Sequence, residues 1–78
     1  MRKKKEYQIF TFHTTAAAME METFCRNHGI AGRLVPVPRE LSAGCGIAWR
    51  MEPEEYECFA DVLSESQVEI EQSCRILN

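Results

Sequence analysis

The residue best suited to chemistry is Cys45, which stands between two glycines at the end of a turn-rich segment, residues 37–46. Gly44 and Gly46 give no side-chain cover and permit positive φ, so a thiol between them can lie on an exposed tight turn. A cysteine that serves only packing is usually buried among apolar neighbours. We therefore predict that Cys45 is an accessible, reactive thiol. The alternative is a small residue without a chemical role.

The other three cysteines, Cys25, Cys58 and Cys74, stand in segments with helix or strand patterns. None of the four forms the Cys-x-x-Cys pair that is typical of zinc and dithiol redox sites, and a reducing cytosol keeps such thiols free. We predict no metal and no disulfide. A zinc site assembled from scattered ligands, with His13 or His28 among them, is the less favoured alternative.

Several runs of the sequence resemble the selenium/sulfur (Se/S) carrier protein-like family, a domain of unknown function. The most specific of them is Pro-Arg-Glu-Leu-Ser at 38–42, followed by Cys45 and Gly46; the others lie at 10–17, 33–37, 45–48 and 50–53. One departure is Gly44, where the family pattern leads us to expect a polar residue. The resemblance covers nearly the whole chain. It implies that Cys45 carries sulfur or selenium.

Length and charge limit the function classes. The chain has 78 residues, 45% of them hydrophobic, which suits one domain with a two-layer core. Its net charge of −3 argues against a nucleic-acid partner. The basic run at 2–5 is expected to belong to a flexible N-terminus, residues 1–6. Because no apolar stretch is long enough to span a bilayer, we expect a cytoplasmic protein without a membrane partner.

Hydrophobic patterns predict six elements in the order strand, helix, strand, strand, helix, strand. Thr14 or Thr15 is the predicted N-cap of the first helix, and Gly29 ends it. Two prolines assign the second strand to a sheet edge. The predicted ranges are 7–12, 16–28, 32–37, 46–51, 53–64 and 68–76.

The same patterns predict which side chains face the core. Cys25 lies beside the stripe of the first helix as a packed hydrophobe, Cys58 lies off the stripe of the second helix, and Cys74 faces inward from the last strand. The predicted inner positions are Ala17, Met21, Phe24 and His28 in the first helix, Tyr56, Phe59, Ala60 and Leu63 in the second, and Val68, Ile70, Cys74 and Ile76 in the last strand.

This order of elements predicts an α+β, ferredoxin-like βαββαβ two-layer sandwich. Its antiparallel sheet has the strand order 4-1-3-2, with both helices on one face. Three loops then meet at one end of the domain: the turn at 13–15, the hairpin at 38–45 and the connection at 64–67. Cys45 is consequently expected near the N-terminus of the first helix.

A helix N-terminus, Arg39 and His13 would favour the thiolate of Cys45 and lower its pKa from the usual value of about 8.5. For a carrier, as the resemblance implies, the thiolate accepts a persulfide or perselenide and passes it on. The donor would be a protein such as a cysteine desulfurase, and the acceptor a second protein. No cofactor is expected beyond the chalcogen on Cys45. The residues expected to bind the chalcogen or its charge are His13, Thr14, Thr15, Arg39, Ser42, Gly44 and Gly46.

Each role has a simpler alternative. His13 can merely end its strand, and Arg39 can form an ordinary ion pair with Glu40 or Glu52. The sequence shows no recognisable set of nucleophile, base and oxyanion hole, so we expect no enzyme activity.

Two other function classes stay open. The first is a non-catalytic small-ligand-binding or regulatory module, or a homodimer, that uses the open face of the sheet, where Tyr7, Ile9 and Trp49 are expected. The second and less favoured is a thiol-based metal chaperone, because the first loop lacks a pair of cysteines.

Overall fold

The structure is a computed structural model that describes residues 5–39, 41 and 44–77. Most of the predicted basic N-terminus, residues 1–4, lies outside the described residues. So do Glu40 and Ser42, of which Ser42 was a predicted binding residue.

The described residues form an α+β fold in the predicted order of elements. The antiparallel sheet has the order β2-β3-β1-β4, which is 4-1-3-2 when it is read from the β4 edge. As predicted, β2 is an edge strand. The elements are β1 Glu6–Thr11, α1 Thr15–Asn27, β2 Arg33–Pro36, β3 Ile47–Met51, α2 Pro53–Ser64 and β4 Gln72–Leu77.

Both helices contribute to one hydrophobic cluster on one face of the sheet, here called the helix face. Phe10 of β1 and Trp49 of β3 are register partners and therefore point to this same face. Trp49 is only 2% exposed, so its prediction on the open face was wrong. The reason is the register, since Trp49 follows the side on which Phe10 lies. The other fully enclosed members are Phe12, Ala18, Met21 and Cys25.

The ends of α1 are set by local chemistry. The Thr14 hydroxyl oxygen accepts a hydrogen bond from the Ala17 amide at 3.1 Å, which makes Thr14 the N-cap. At the other end, Gly29 has φ of 68°, and the Ile30 amide donates to the Cys25 carbonyl at 2.8 Å, a Schellman arrangement. His28 was predicted in the inner stripe, but it is exposed and stacks on Phe24, with ring centroids 4.1 Å apart. Its side chain is used at the helix end, not in the core.

The last strand begins later than predicted. β1 ends at Thr11, whose partner is Gln72, so residues before Gln72 have no strand beside them. Val68 and Ile70 pack against the core from a connection that also contains Gln67, with φ of 62°.

This register also reverses the predicted faces of β4. Cys74 is the partner of Ile9, and Ile76 is the partner of Tyr7, so both lie on the face opposite the helices, here called the open face. The prediction that Cys74 faces the core was therefore wrong. Two helix-face positions of β4, Ser73 and Arg75, carry polar residues instead.

Those polar residues close a network between β1, β4 and α2. Gln8 is buried; its amide nitrogen donates to Ser73 Oγ at 2.8 Å, and its amide oxygen accepts from Arg75 Nε at 3.2 Å. Arg75 Nη2 donates to Glu57 Oε2 at 2.9 Å. The network satisfies the buried amide and fixes β4 against β1.

Between residues 5 and 77, as far as they are described, neither helix combines the length and apolarity that crossing a bilayer would require.

Candidate functional site: the thiol at the β2–β3 hairpin

The hairpin between β2 and β3 is closed by backbone hydrogen bonds. The Val37 amide donates to the Gly46 carbonyl at 3.1 Å, and the Leu41 amide donates to the Pro38 carbonyl at 3.0 Å. Gly46 has φ of 77°, a conformation that a residue with a side chain adopts only with strain. The glycine after Cys45 is therefore required by the turn that ends the hairpin.

The end of the hairpin reaches the turn that precedes α1. A Cβ atom built on Gly44 would lie 3.2 Å from the carbonyl oxygen of His13. Since His13 directly precedes the N-cap Thr14, the segment that carries Cys45 lies against the start of α1. The absence of a side chain at Gly44 permits this close approach. Glycine in place of the expected polar residue thus leaves room for the His13 carbonyl.

The Cys45 side chain is half-buried and packs against the hydrophobic cluster, so it is less accessible than a thiol on an open turn. Its Sγ donates a hydrogen bond to the Ile47 carbonyl at 3.3 Å. A carbonyl oxygen can accept such a bond only from the protonated thiol. Because the thiolate is the nucleophile, the side chain must leave this carbonyl before it can react.

The predicted helper residues stand at the same end of the domain, with different roles. His13 is exposed, and its Nδ1 lies 3.7 Å from Glu71 Oε2 in the connection before β4. The Glu71 amide also donates to the Thr11 carbonyl at 2.8 Å. The turn before α1 therefore contacts both the hairpin, at Gly44, and the end of the connection before β4, at Glu71. Glu71 was missed because the alternating pattern had placed it within a strand.

No contact with the Cys45 thiol is seen for three of the described helper residues, Thr14, Thr15 and Arg39. The Thr14 oxygen already caps α1, Thr15 is the exposed first residue of that helix, and Arg39 is exposed in the hairpin. The alternative pairing of Arg39 with Glu52 was wrong. Glu52 follows β3 at the opposite end of the strand and accepts a hydrogen bond from Lys5.

The four cysteines are free and lie in different environments. Cys25 is completely buried, and burial raises the pKa of its thiol from 9.0 to about 11. Its Sγ donates weakly to Met21 Sδ at 3.7 Å. Cys58 is exposed on α2, which agrees with its predicted position off the apolar stripe of that helix. Cys74 is half-buried on the open face.

An apolar groove adjoins the hairpin thiol. It has a volume of about 280 Å³ and is lined by Leu34, Val35, Pro36, Gly46 and Ile47. No sequence motif marked this groove, because it arises only when β2 and the start of β3 pair. Among the described residues, no three His, Cys, Asp or Glu side chains are grouped in a way that could hold a metal ion.

Comparison with family models adds the decisive observation. The family described as "Putative Se/S carrier protein-like" matches residues 6–75. The chain belongs to this family. The match includes β1, the whole hairpin with Cys45, both helices and most of β4. No curated protein matches the chain, and no solved structure matches it either.

Proposed function

We propose that this protein is a sulfur or selenium carrier in which Cys45 is the carrying thiol. The observation that carries the proposal is the position of Cys45. It is the half-buried thiol at the end of a hairpin that rests against the start of α1, within a chain of the Se/S carrier protein-like family. Cys25 is enclosed in the core and cannot meet a partner protein.

The proposed transfer requires no net oxidation. The Cys45 thiolate attacks the outer sulfur of a persulfide on the donor protein, and a new S–S bond forms at Sγ. The donor's S–S bond breaks, and its electron pair leaves with the donor cysteine as a thiolate. In the second step the acceptor's nucleophile attacks the outer sulfur, and the Cys45 thiolate is regenerated. A perselenide follows the same scheme with selenium as the outer atom.

The surroundings of Cys45 support this chemistry in two ways. When the thiol loses its proton and leaves the Ile47 carbonyl, the nearby start of α1 offers a partial positive charge. We propose that the amides of Gly44 and Gly46, with His13, Thr14, Thr15 and Arg39, bind the terminal chalcogen or its charge. The apolar groove beside Gly46 gives a partner protein a surface next to the thiol.

The finer assignments belong to the same proposal. We infer a ferredoxin-like arrangement of the α+β fold, a cytoplasmic carrier without turnover, and two protein partners, a donor such as a cysteine desulfurase and an acceptor. The homodimer through the open face is less favoured than it was on the sequence, because Trp49 has left that face and two arginines stand on it.

The test is intact-protein mass spectrometry after incubation with a cysteine desulfurase and cysteine. We expect the wild type to gain one sulfur atom that a reductant removes, and we expect Cys45→Ser to gain none. Cys58→Ser is the matched control, because it removes an exposed thiol outside the hairpin and should leave the gain intact. A gain that persists in Cys45→Ser, or disappears in Cys58→Ser, contradicts the assignment of Cys45. Selenocysteine in place of cysteine extends the test to selenium.

A further inference from the structure

Two arginines face each other on the open face of the sheet. Arg33 of β2 and Arg50 of β3 are register partners, so their side chains leave the sheet side by side. Like charges in directly opposed positions destabilise a strand pair. Such a pair is therefore a cost to the fold unless an anion comes between the two guanidinium groups.

The described residues supply no carboxylate within ion-pair distance of either arginine. Two other arginines of the described residues have carboxylate partners: Arg26 lies 3.8 Å from Glu22, and Arg75 lies 2.9 Å from Glu57. Arg33 and Arg50, by contrast, are two adjacent positive charges without such a partner in this part of the structure.

Two carboxylates in this part of the domain are already engaged. Glu52 accepts a hydrogen bond from Lys5, and Glu55 Oε2 accepts one from the Ala31 amide at 2.9 Å. Since both carboxylates have other partners, the two adjacent guanidinium groups are left to attract an anion.

The side chain of Arg50 is held in place. Its Cζ lies 4.3 Å from the centroid of the Tyr7 ring, so the guanidinium stacks on the aromatic face. A cation fixed in this way loses less freedom when it binds a ligand.

A cleft of about 250 Å³ opens between these groups, with Tyr7, Ala31, Gly32, Arg33, Arg50 and Glu52 in its wall. A Cβ atom on Gly32 would come within 2.4 Å of the Trp49 ring, so core packing requires glycine there. The wall of the cleft at this position consequently stays bare backbone.

We propose that this cleft binds a phosphate group, either as inorganic phosphate or as the monoester end of a small molecule. A phosphate carries a charge of about −1.5 to −2 near neutral pH, which matches two guanidinium groups, and its oxygens suit the forked donors of arginine. A single carboxylate would neutralise only one of them. The cleft lies at the end of β3 remote from Cys45, so this site does not depend on the carrier function.

The experiment is a titration of the ¹⁵N-labelled protein with inorganic phosphate, with ionic strength held constant by sodium chloride. We expect saturable shifts of amide signals at Tyr7, at 31–33 and at Arg50. Arg33→Gln and Arg50→Gln should each weaken binding at least about tenfold. Arg26→Gln is the matched control: Arg26 is exposed on α1 and paired with Glu22, and its loss should leave the affinity unchanged. Shifts that never saturate, or that are equal in the Arg33→Gln/Arg50→Gln variant, overturn the proposal.

A parallel titration with glycerol phosphate distinguishes the two sources of the group. Tighter binding than that of inorganic phosphate supports a phosphorylated small molecule, and equal binding supports free phosphate. Should a glutamine variant fail to fold, Arg33→Lys and Arg50→Lys keep the charge but lose the forked geometry. Unchanged affinity in both lysine variants overturns the role of the guanidinium groups.

Thermal unfolding gives a second readout. In chloride, Arg33→Gln should leave the midpoint unchanged or raise it, because a repulsion is removed. Exchange of chloride for phosphate should raise the midpoint of the wild type and of Arg26→Gln by more than that of Arg33→Gln, because phosphate also stabilises folded proteins in general. An equal rise in all three proteins overturns the site.

Discussion

Helix α1 and the β2–β3 hairpin each carry a cysteine, and the two cysteines lie in opposite environments. Cys25 lies on the inner side of α1, wholly enclosed, with only the Met21 sulfur as a weak partner. Cys45 lies at the hairpin, half-buried, with the Ile47 carbonyl as its acceptor, in a segment that rests against the turn before α1. Burial decides the difference, because an anionic thiolate is much less stable in the core than near water.

The comparison teaches that the environment of each cysteine in this small domain, and not the number of cysteines, decides what its thiol can do. Cys25 acts as a small hydrophobic residue that fills the space between α1 and the sheet. Cys45 also contacts the core, which fixes the hairpin, but it keeps a path to solvent. Partial exposure and a fixed position are thereby combined at one end of the sheet.

The sharpest way to break the comparison is to measure the alkylation rates of the two thiols. Under native conditions near neutral pH, we expect iodoacetamide to label Cys25 at least about 100-fold more slowly than Cys45, because a pKa of about 11 leaves only about 10⁻⁴ of Cys25 as thiolate. Peptide mass spectrometry follows each site. In urea, where burial is lost, the rates should converge. Comparable native rates would show that the core around Cys25 opens easily.

Stability at alkaline pH offers the second test. Burial raises the pKa of Cys25 from 9.0 to about 11, so the folded state holds the thiol proton more tightly than the unfolded state. Its contribution is complete below pH 9 and is lost as pH rises from 9 to about 11, by an amount on the order of 3 kcal/mol. Urea unfolding of the wild type and of Cys25→Ala should therefore converge over this range.

The control for that measurement is Cys58→Ala, since Cys58 is exposed. Its difference in unfolding free energy from the wild type should stay constant with pH. A Cys25→Ala variant that follows the wild type in parallel through the whole range would contradict the assignment of the alkaline loss to Cys25.

The smallest expected effect concerns Arg39 and separates Cys45 from the other accessible thiol. With iodoacetate, an anionic reagent, we expect Cys45 to react before Cys58, because Arg39 lies in the hairpin while Cys58 lies on a helix surface with several acidic residues. Arg39→Ala should slow labelling of Cys45 about twofold to fivefold, the effect of one exposed charge. Arg26→Ala is the matched control on α1. Earlier labelling of Cys58, or no effect of Arg39→Ala, would remove the charge argument for the hairpin.

Much of the fold was predictable because local rules and global packing agree. Threonine at 14 and glycine at 29 set the ends of α1, and Pro53 begins α2 at the predicted residue. The prolines of β2 predicted its edge position. The late start of β4 was not predictable from its alternation, because a strand also needs a partner, and β1 ends at Thr11.

The sequence by itself determined the order of the elements, the α+β class, the family and the glycine-flanked position of Cys45, because each is read from local patterns and their order along the chain. Only the tertiary structure decided which faces the strands present. A shift of one residue in register exchanges every inward and outward side chain, and register depends on partners that are distant in sequence. This is why Trp49 lies in the core, Cys74 lies on the open face, and Arg33 of β2 lies opposite Arg50 of the neighbouring strand β3.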